Sequence, residues 1–220
     1  PGEKINTILT VKEFVDNEFI FMSTAKGTVK KTPLSDFSNP RKSGIIALKL
    51  DNGDYLVGAA ITKGQNDVVL VSNNGKAVWF GESDVRSMGR NARGVRGMKL
   101  SDGSEVLSLL IAENEFQSVM VATENGYGKR TQLSEFRRSG RGTQGVKAIQ
   151  VSERNGSVVG AKLVGDHDEL MLITTGGVLI RTRVSEIREL GRATQGVTLI
   201  NLGPNEKLRG LEKVAESDHD

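Results

Sequence analysis

The 220-residue sequence contains no cysteine, which removes disulfide frameworks and thiolate metal sites together. Its two histidines, His167 and His219, lie far apart, and each sits between aspartates. That pattern belongs to solvated loops, so no metal is expected. Aromatic residues make up 5% of the chain and prolines number four, whereas glycines reach 26. No apolar run approaches the roughly 18 residues of a membrane span. The opening PGEKINTILTV has no signal-peptide pattern. A cytoplasmic protein with no membrane partner is expected. No segment sustains a 3.6-residue apolar period, which predicts low helix content. Frequent glycine among Val, Ile, Leu and Thr predicts short strands and tight turns instead.

Catalytic patterns are also missing. No GxxxxGK[ST], HExxH or GxSxG occurs, and the acid pairs Asp51/Asp54 and Asp166/Asp168 fall in turn-like polar stretches. Gly140 to Gly145 spells GxGxxG, but a dinucleotide site needs a strand before it and a helix after it. Here FRRS precedes and the strand-like VKAIQV follows. No catalytic residue and no cofactor is assigned.

What the chain does have is sorted charge. The formal net charge is only +3. Yet Arg86, Arg90, Arg93, Arg96 and Lys99 follow one another without an acid, as do Arg137, Arg138, Arg141 and Lys147. Acids collect elsewhere, including the tail from Glu212 to Asp220. Such sorting predicts one basic face.

The chain is also periodic. Gly27, Gly75, Gly126 and Gly177 follow apolar segments at spacings of 48, 51 and 51 residues. Eight residues after each comes a serine followed by an acid: Ser35-Asp36, Ser83-Asp84, Ser134-Glu135 and Ser185-Glu186. Gly44, Gly94, Gly145 and Gly196 repeat at 50, 51 and 51. A period near 50 residues predicts a propeller or an array of stacked units. Turn signals and apolar runs give four short strands per copy. The expected fold is therefore all-β, a propeller-like disc of about four four-stranded blades. The blades would run over about 5–56, 57–105, 106–157 and 158–207, with 208–220 as a closing strand and acidic tail. The runs VVLV, VMVA and LMLI are the expected inner strands. Leu208 to Val214 would either close a ring on the first blade or cap the last one.

In a radial arrangement, equivalent loops line one rim and their basic clusters join. Arginine forks suit phosphate oxygens, and nearby glycines let backbone N–H groups approach the same oxygens. With few aromatic platforms, such a rim suits duplex backbone better than stacked single-stranded bases. Arg90, Arg93, Arg96, Arg137, Arg138, Arg141 and Lys147 are the first candidates. Arg41, Lys42 and Arg192 come next, then Lys30, Lys31, Lys129 and Arg130. The alternative is a protein-interaction propeller whose basic rim meets an acidic partner.

Several phrases carry a family resemblance: AKGTVKKTPLSDF (25–37), NGYGKRTQLSEF (125–136), SERNGSVVGA (152–161), RTRVSEI (181–187) and GRATQGV (191–197). Together, and in this order, they resemble the gyrase A C-terminal domain of the DNA gyrases over essentially the whole chain. The resemblance implies a β-pinwheel whose basic rim wraps duplex DNA without reading sequence. It implies work within a bacterial, nucleoid-associated type II topoisomerase, beside the rest of gyrase A and gyrase B in a heterotetramer. There it would support ATP-driven negative supercoiling, with the catalytic tyrosine, metal site and ATPase lying outside this domain. The family's QRRGGKG-like box of the first blade is absent. Arg137-Arg138-Ser139-Gly140-Arg141-Gly142 is only a degenerate relative, which implies the later four blades. The C-terminal domain of the topoisomerase IV A protein, also without a complete box, is the near alternative.

Overall fold

The protein's structure is a computed structural model that describes residue 2 and residues 4–215. Of the acidic tail, residues 216–220, including His219, lie outside the described residues. Among the described residues there are only β-strands and one-turn 3₁₀ helices. No helix is long and apolar enough to cross a membrane. The chain divides into two compact units. The first comprises the residues through Ser72 with Ala77–Glu113 and Arg138–Gly145; the second comprises Asn73–Lys76, Asn114–Arg137 and Val146 onward.

In the first unit, β1 (Phe19–Thr24), β2 (Thr28–Pro33), β3 (Leu56–Thr62) and β6 (Val95–Arg96) form one antiparallel sheet in the order β3-β1-β2-β6. Phe21 lies opposite Lys31 on β2 and Ala60 on β3. In the second sheet, β4 (Asp67–Ser72) lies between β5 (Lys76–Gly81) and β7 (Val106–Ala112). Val68, Val69, Leu70 and Val71 of β4 are all 0% exposed, so this uninterrupted apolar run is covered on both faces. Phe21 and Phe80 meet in the unit's core at 6.4 Å between ring centroids.

The second unit repeats the plan. β8 (Ser118–Thr123), β9 (Tyr127–Gln132), β11 (Val158–Val164) and β14 (Val197–Thr198) pair in the order β11-β8-β9-β14. The two-residue β10 (Val146–Lys147) belongs to the rim loop between β9 and β11. β12 (Glu169–Thr174) lies between β13 (Leu179–Arg183) and β15 (Leu208–Lys213). Among the described residues β13 has no further strand outside it, and Val178, Leu179 and Ile180 are 47%, 60% and 36% exposed.

The expected inner runs are indeed the central strands, but the sheets are out of phase with the boundaries drawn from the repeats. β3, placed with the second copy, pairs with β1; β7 pairs with β4 and β11 with β8. Leu208 to Lys213 fills the same role in the last sheet by pairing with β12, so it caps that sheet. Each sheet thus borrows the opening strand of the following repeat. In the first unit's leading sheet and the second unit's leading sheet, a two-residue piece of the next repeat's loop is added as well.

This exchange explains the glycine rulers. A Cβ on Gly126 would lie 2.6 Å from the Ile200 carbonyl oxygen, and one on Gly145 would lie 2.2 Å from that of Ala77. Both glycines have positive φ, +85° and +73°, a region costly for residues with a Cβ. One marks the strand turn over which an incoming loop folds; the other marks the loop backing onto a strand.

Candidate nucleic-acid interface

The basic loops of the second, third and fourth repeats each begin at a 3₁₀ turn built on the Ser-acid pair, then cross the outer strand of the preceding sheet. In the first unit, Met88 N–H donates to Lys31 O at 2.9 Å. Gly97 N–H and Met98 N–H both donate to Gly27 O, at 2.8 and 3.1 Å. These backbone bonds fix the 86–99 loop while leaving its side chains outside. Arg86, Arg96 and Lys99 are exposed, and their side chains have no partner among the described residues. Arg93 donates to Asp51 Oδ1 at 2.8 Å, and Arg90 donates to Ile46 O at 3.1 Å. Arg41 and Lys42 are likewise exposed in the 38–50 loop.

The 138–145 loop of the same unit is held differently. Ser139 N–H donates to Trp79 O at 2.8 Å, and Gly142 N–H donates to Gly97 O at 2.6 Å. Arg138 places Nε and Nη2 on Asp67 Oδ1, at 3.1 and 2.8 Å. Arg141 ties down backbone, donating to Asp84 O at 2.9 Å and Arg96 O at 3.1 Å. A shallow depression lined by Gly81, Ser83, Asp84, Arg138, Ser139 and Gly140 sits beside this fork. Arg137 is exposed and unpartnered among the described residues.

In the second unit, Lys147 is exposed with Nζ on Gln150 Oε1 at 2.7 Å, and half-buried Arg192 donates to Lys147 O at 3.2 Å. Arg130 is largely covered: Nε donates to Ile187 O at 2.8 Å and Nη1 pairs with Asp166. Arg154, missed from sequence, lies 4.8 Å from the Tyr127 ring centroid, in cation–π range. The turn residues SERNG carry no sign of it. Arg86 and Lys99 lie within a basic run that does carry a sign, yet outside the chosen candidates.

Three candidates do not lie on the exposed surface. Lys30, Lys31 and Lys129 are 0%, 6% and 0% exposed. Lys31 sits 4.8 Å from the Phe19 ring centroid and 4.0 Å from Glu82 Oε2. Lys30 donates to Ala47 O at 2.7 Å and to Arg90 O. Lys129 donates to Gly191 O at 2.5 Å, Arg192 O at 2.6 Å and Thr194 Oγ1 at 3.1 Å. Burial lowers both Lys30 and Lys129 to about 8; Arg90 presses the first down against Asp36, while Glu135 supports the second against Arg192. Both remain ammonium ions at neutral pH. The reason is the loop exchange: a loop from the next repeat covers the strand, so a side chain that would face water faces loop carbonyls.

The family model for the DNA gyrase C-terminal domain, beta-propeller, matches residues 18–63, 66–113, 117–164 and 168–215. The chain belongs to this family. Each match runs from a sheet's central strand through the strand borrowed from the next repeat, in the phase of the sheets described above. The DNA gyrase A protein of Salmonella typhimurium is 52% identical over 98% of this chain. That of Pseudomonas aeruginosa is 57% identical over 90% of it. The chain spans only 24% and 21% of those two relatives. A solved DNA gyrase A C-terminal domain superimposes with a TM-score of 0.83 at 30% identity, covering 93% of this chain and 68% of that one. A solved C-terminal domain of DNA topoisomerase IV gives 0.88 at 30% identity, covering 93% and 64%. This gyrase-type domain is thus an all-β protein of four propeller repeats with basic loops exchanged between them.

Proposed function

We propose that the chain holds duplex DNA on its basic loops, without reading sequence, as a non-catalytic part of a gyrase A protein. The observation that carries this is the set of exposed arginines, Arg86, Arg96 and Arg137, that have no acidic partner among the described residues, on loops whose backbones are already fixed. Phosphates are the ligands such groups suit: guanidinium forks point outward and the nearby glycines keep the backbone accessible. Arg93 and Arg138 join them by exchanging Asp51 and Asp67 for phosphate. Exposed ion pairs of this kind contribute only about 0–1 kcal/mol, so the exchange costs little.

In the whole enzyme, the domain would work beside the rest of gyrase A and gyrase B in a heterotetramer of the bacterial cytoplasm. There its grip on DNA supports ATP-dependent negative supercoiling. The gyrase assignment is supported over topoisomerase IV by gyrase A relatives at 52% and 57% identity. Ligating nicked DNA circles with the chain bound tests the wrapping element. The expected result is a shifted linking-number distribution relative to protein-free circles. An unchanged distribution under saturating protein would overturn wrapping by this chain.

A further inference from the structure

The three arginine turns Gly89-Arg90-Asn91-Ala92, Gly140-Arg141-Gly142-Thr143 and Gly191-Arg192-Ala193-Thr194 occupy equivalent places, yet their middle peptides are arranged differently. In the first and third, the arginine carbonyl accepts a hydrogen bond from a buried lysine: Arg90 O from Lys30 and Arg192 O from Lys129. A trans peptide is planar, with C=O and N–H pointing in opposite directions. Holding those carbonyls inward therefore sends the N–H groups of Asn91 and Ala193 outward. Neither N–H has an acceptor among the described residues, and both residues are exposed.

The middle turn is the internal control. Its strand position equivalent to Lys30 and Lys129 is Val78, which is buried and offers no donor. There the peptide is reversed: Gly142 N–H points inward and donates to Gly97 O at 2.6 Å. Gly142 has φ +83°, as the third residue of a type II turn requires, whereas Asn91 and Ala193 have no positive φ. Type I and type II turns differ by a flip of this one peptide. Two differences accompany the flip, a glycine at 142 that tolerates the positive φ and the absent lysine; in the other two turns the lysine holds the carbonyl inward. Lys129 illustrates how completely it is used: three ammonium donors meet three oxygens.

We propose that Lys30 and Lys129 are positioning residues that lock these peptides with N–H outward, making the Asn91 and Ala193 amides backbone seats for phosphate oxygens. Negative carbonyl ends are drawn away from the DNA side and positive N–H ends are presented to it, next to Arg90 and Arg192. The lysines touch no DNA themselves. This inference rests on the DNA-binding function proposed above and deepens it.

The test is amide NMR of the full chain titrated with a random-sequence duplex, on wild type and Lys129→Met. In wild type, the Asn91 and Ala193 amides should show displacements larger than Gly142, whose N–H is already committed. In Lys129→Met the Ala193 displacement should vanish and affinity should drop about tenfold, on the scale of one charge-assisted hydrogen bond. The slope of log affinity against log salt should stay unchanged, because no phosphate-neutralising charge is lost. A slope reduced by about 0.9 would overturn the assignment, since Lys129 would then neutralise a phosphate directly. Duplex binding with still Asn91 and Ala193 amides would overturn the assignment alone. No duplex binding at low salt would overturn the function as well. If Lys129→Met does not fold, judged by circular dichroism, the wild-type amides decide by themselves.

Discussion

Raising salt from about 50 to 200 mM is expected to weaken binding of this chain to a random duplex by roughly 10³–10⁵-fold. The magnitude follows from the number of phosphates neutralised, about six to ten for a loss of that size. Arg86, Arg96, Lys99, Arg137, Arg41 and Lys42, exposed and without side-chain partners among the described residues, supply one set of contacts. Arg93, Arg138 and Lys147 supply another after giving up Asp51, Asp67 and Gln150. Lys30, Lys31 and Lys129 contribute nothing to the count because they are buried. Fluorescence anisotropy across a salt series reads the slope directly. A slope near zero would mean that the loops do not neutralise phosphates.

Replacing Glu82 by alanine is expected to destabilise the fold by about 3–5 kcal/mol, the range for stripping one partner from a buried ion pair. Glu82 is 0% exposed and accepts from Thr62 Oγ1 at 2.7 Å and Asn66 N–H at 2.8 Å. Its surroundings include Lys31 Nζ at 4.0 Å, and Lys31 is itself only 6% exposed. Alanine would leave that ammonium buried without a carboxylate. Equivalent positions in the other copies are Leu34, Leu133 and Val184, all apolar and buried. The double change Lys31→Met with Glu82→Leu should therefore restore stability to within about 1–2 kcal/mol of wild type. Urea unfolding midpoints measure both. Equal losses in the single and double variants would show that the ion pair is not what the site requires.

Repetition makes much of the fold legible in the sequence. Three markers keeping one period identify the copies, and the apolar runs VVLV, VMVA and LMLI identify the central strands. Phase is not legible, because a repeat period is the same wherever a copy is cut. The pairings of β3 with β1, β7 with β4, β11 with β8 and β15 with β12 show that each sheet closes with a strand from the next repeat. The same exchange hides the lysines. TVKKTP and YGKRTQ read as polar edge strands, yet Lys30 and Lys129 are fully buried because loops from other repeats cover them. Charge along the chain locates the basic loops, but not which arginines are held: Arg137 has no side-chain partner among the described residues, while its neighbour Arg138 forks onto Asp67. That distinction depends on an aspartate 71 residues away, which no local pattern reports.

The central claim is that the basic loops bind duplex DNA through its backbone. Gel shift of unrelated duplexes at low salt, with wild type and with Arg86, Arg96 and Arg137 together changed to alanine, tests it most directly. Wild type should shift every duplex, and the triple variant should bind all of them more weakly by a similar factor. No shift by wild type, or a loss confined to one sequence, would contradict the account.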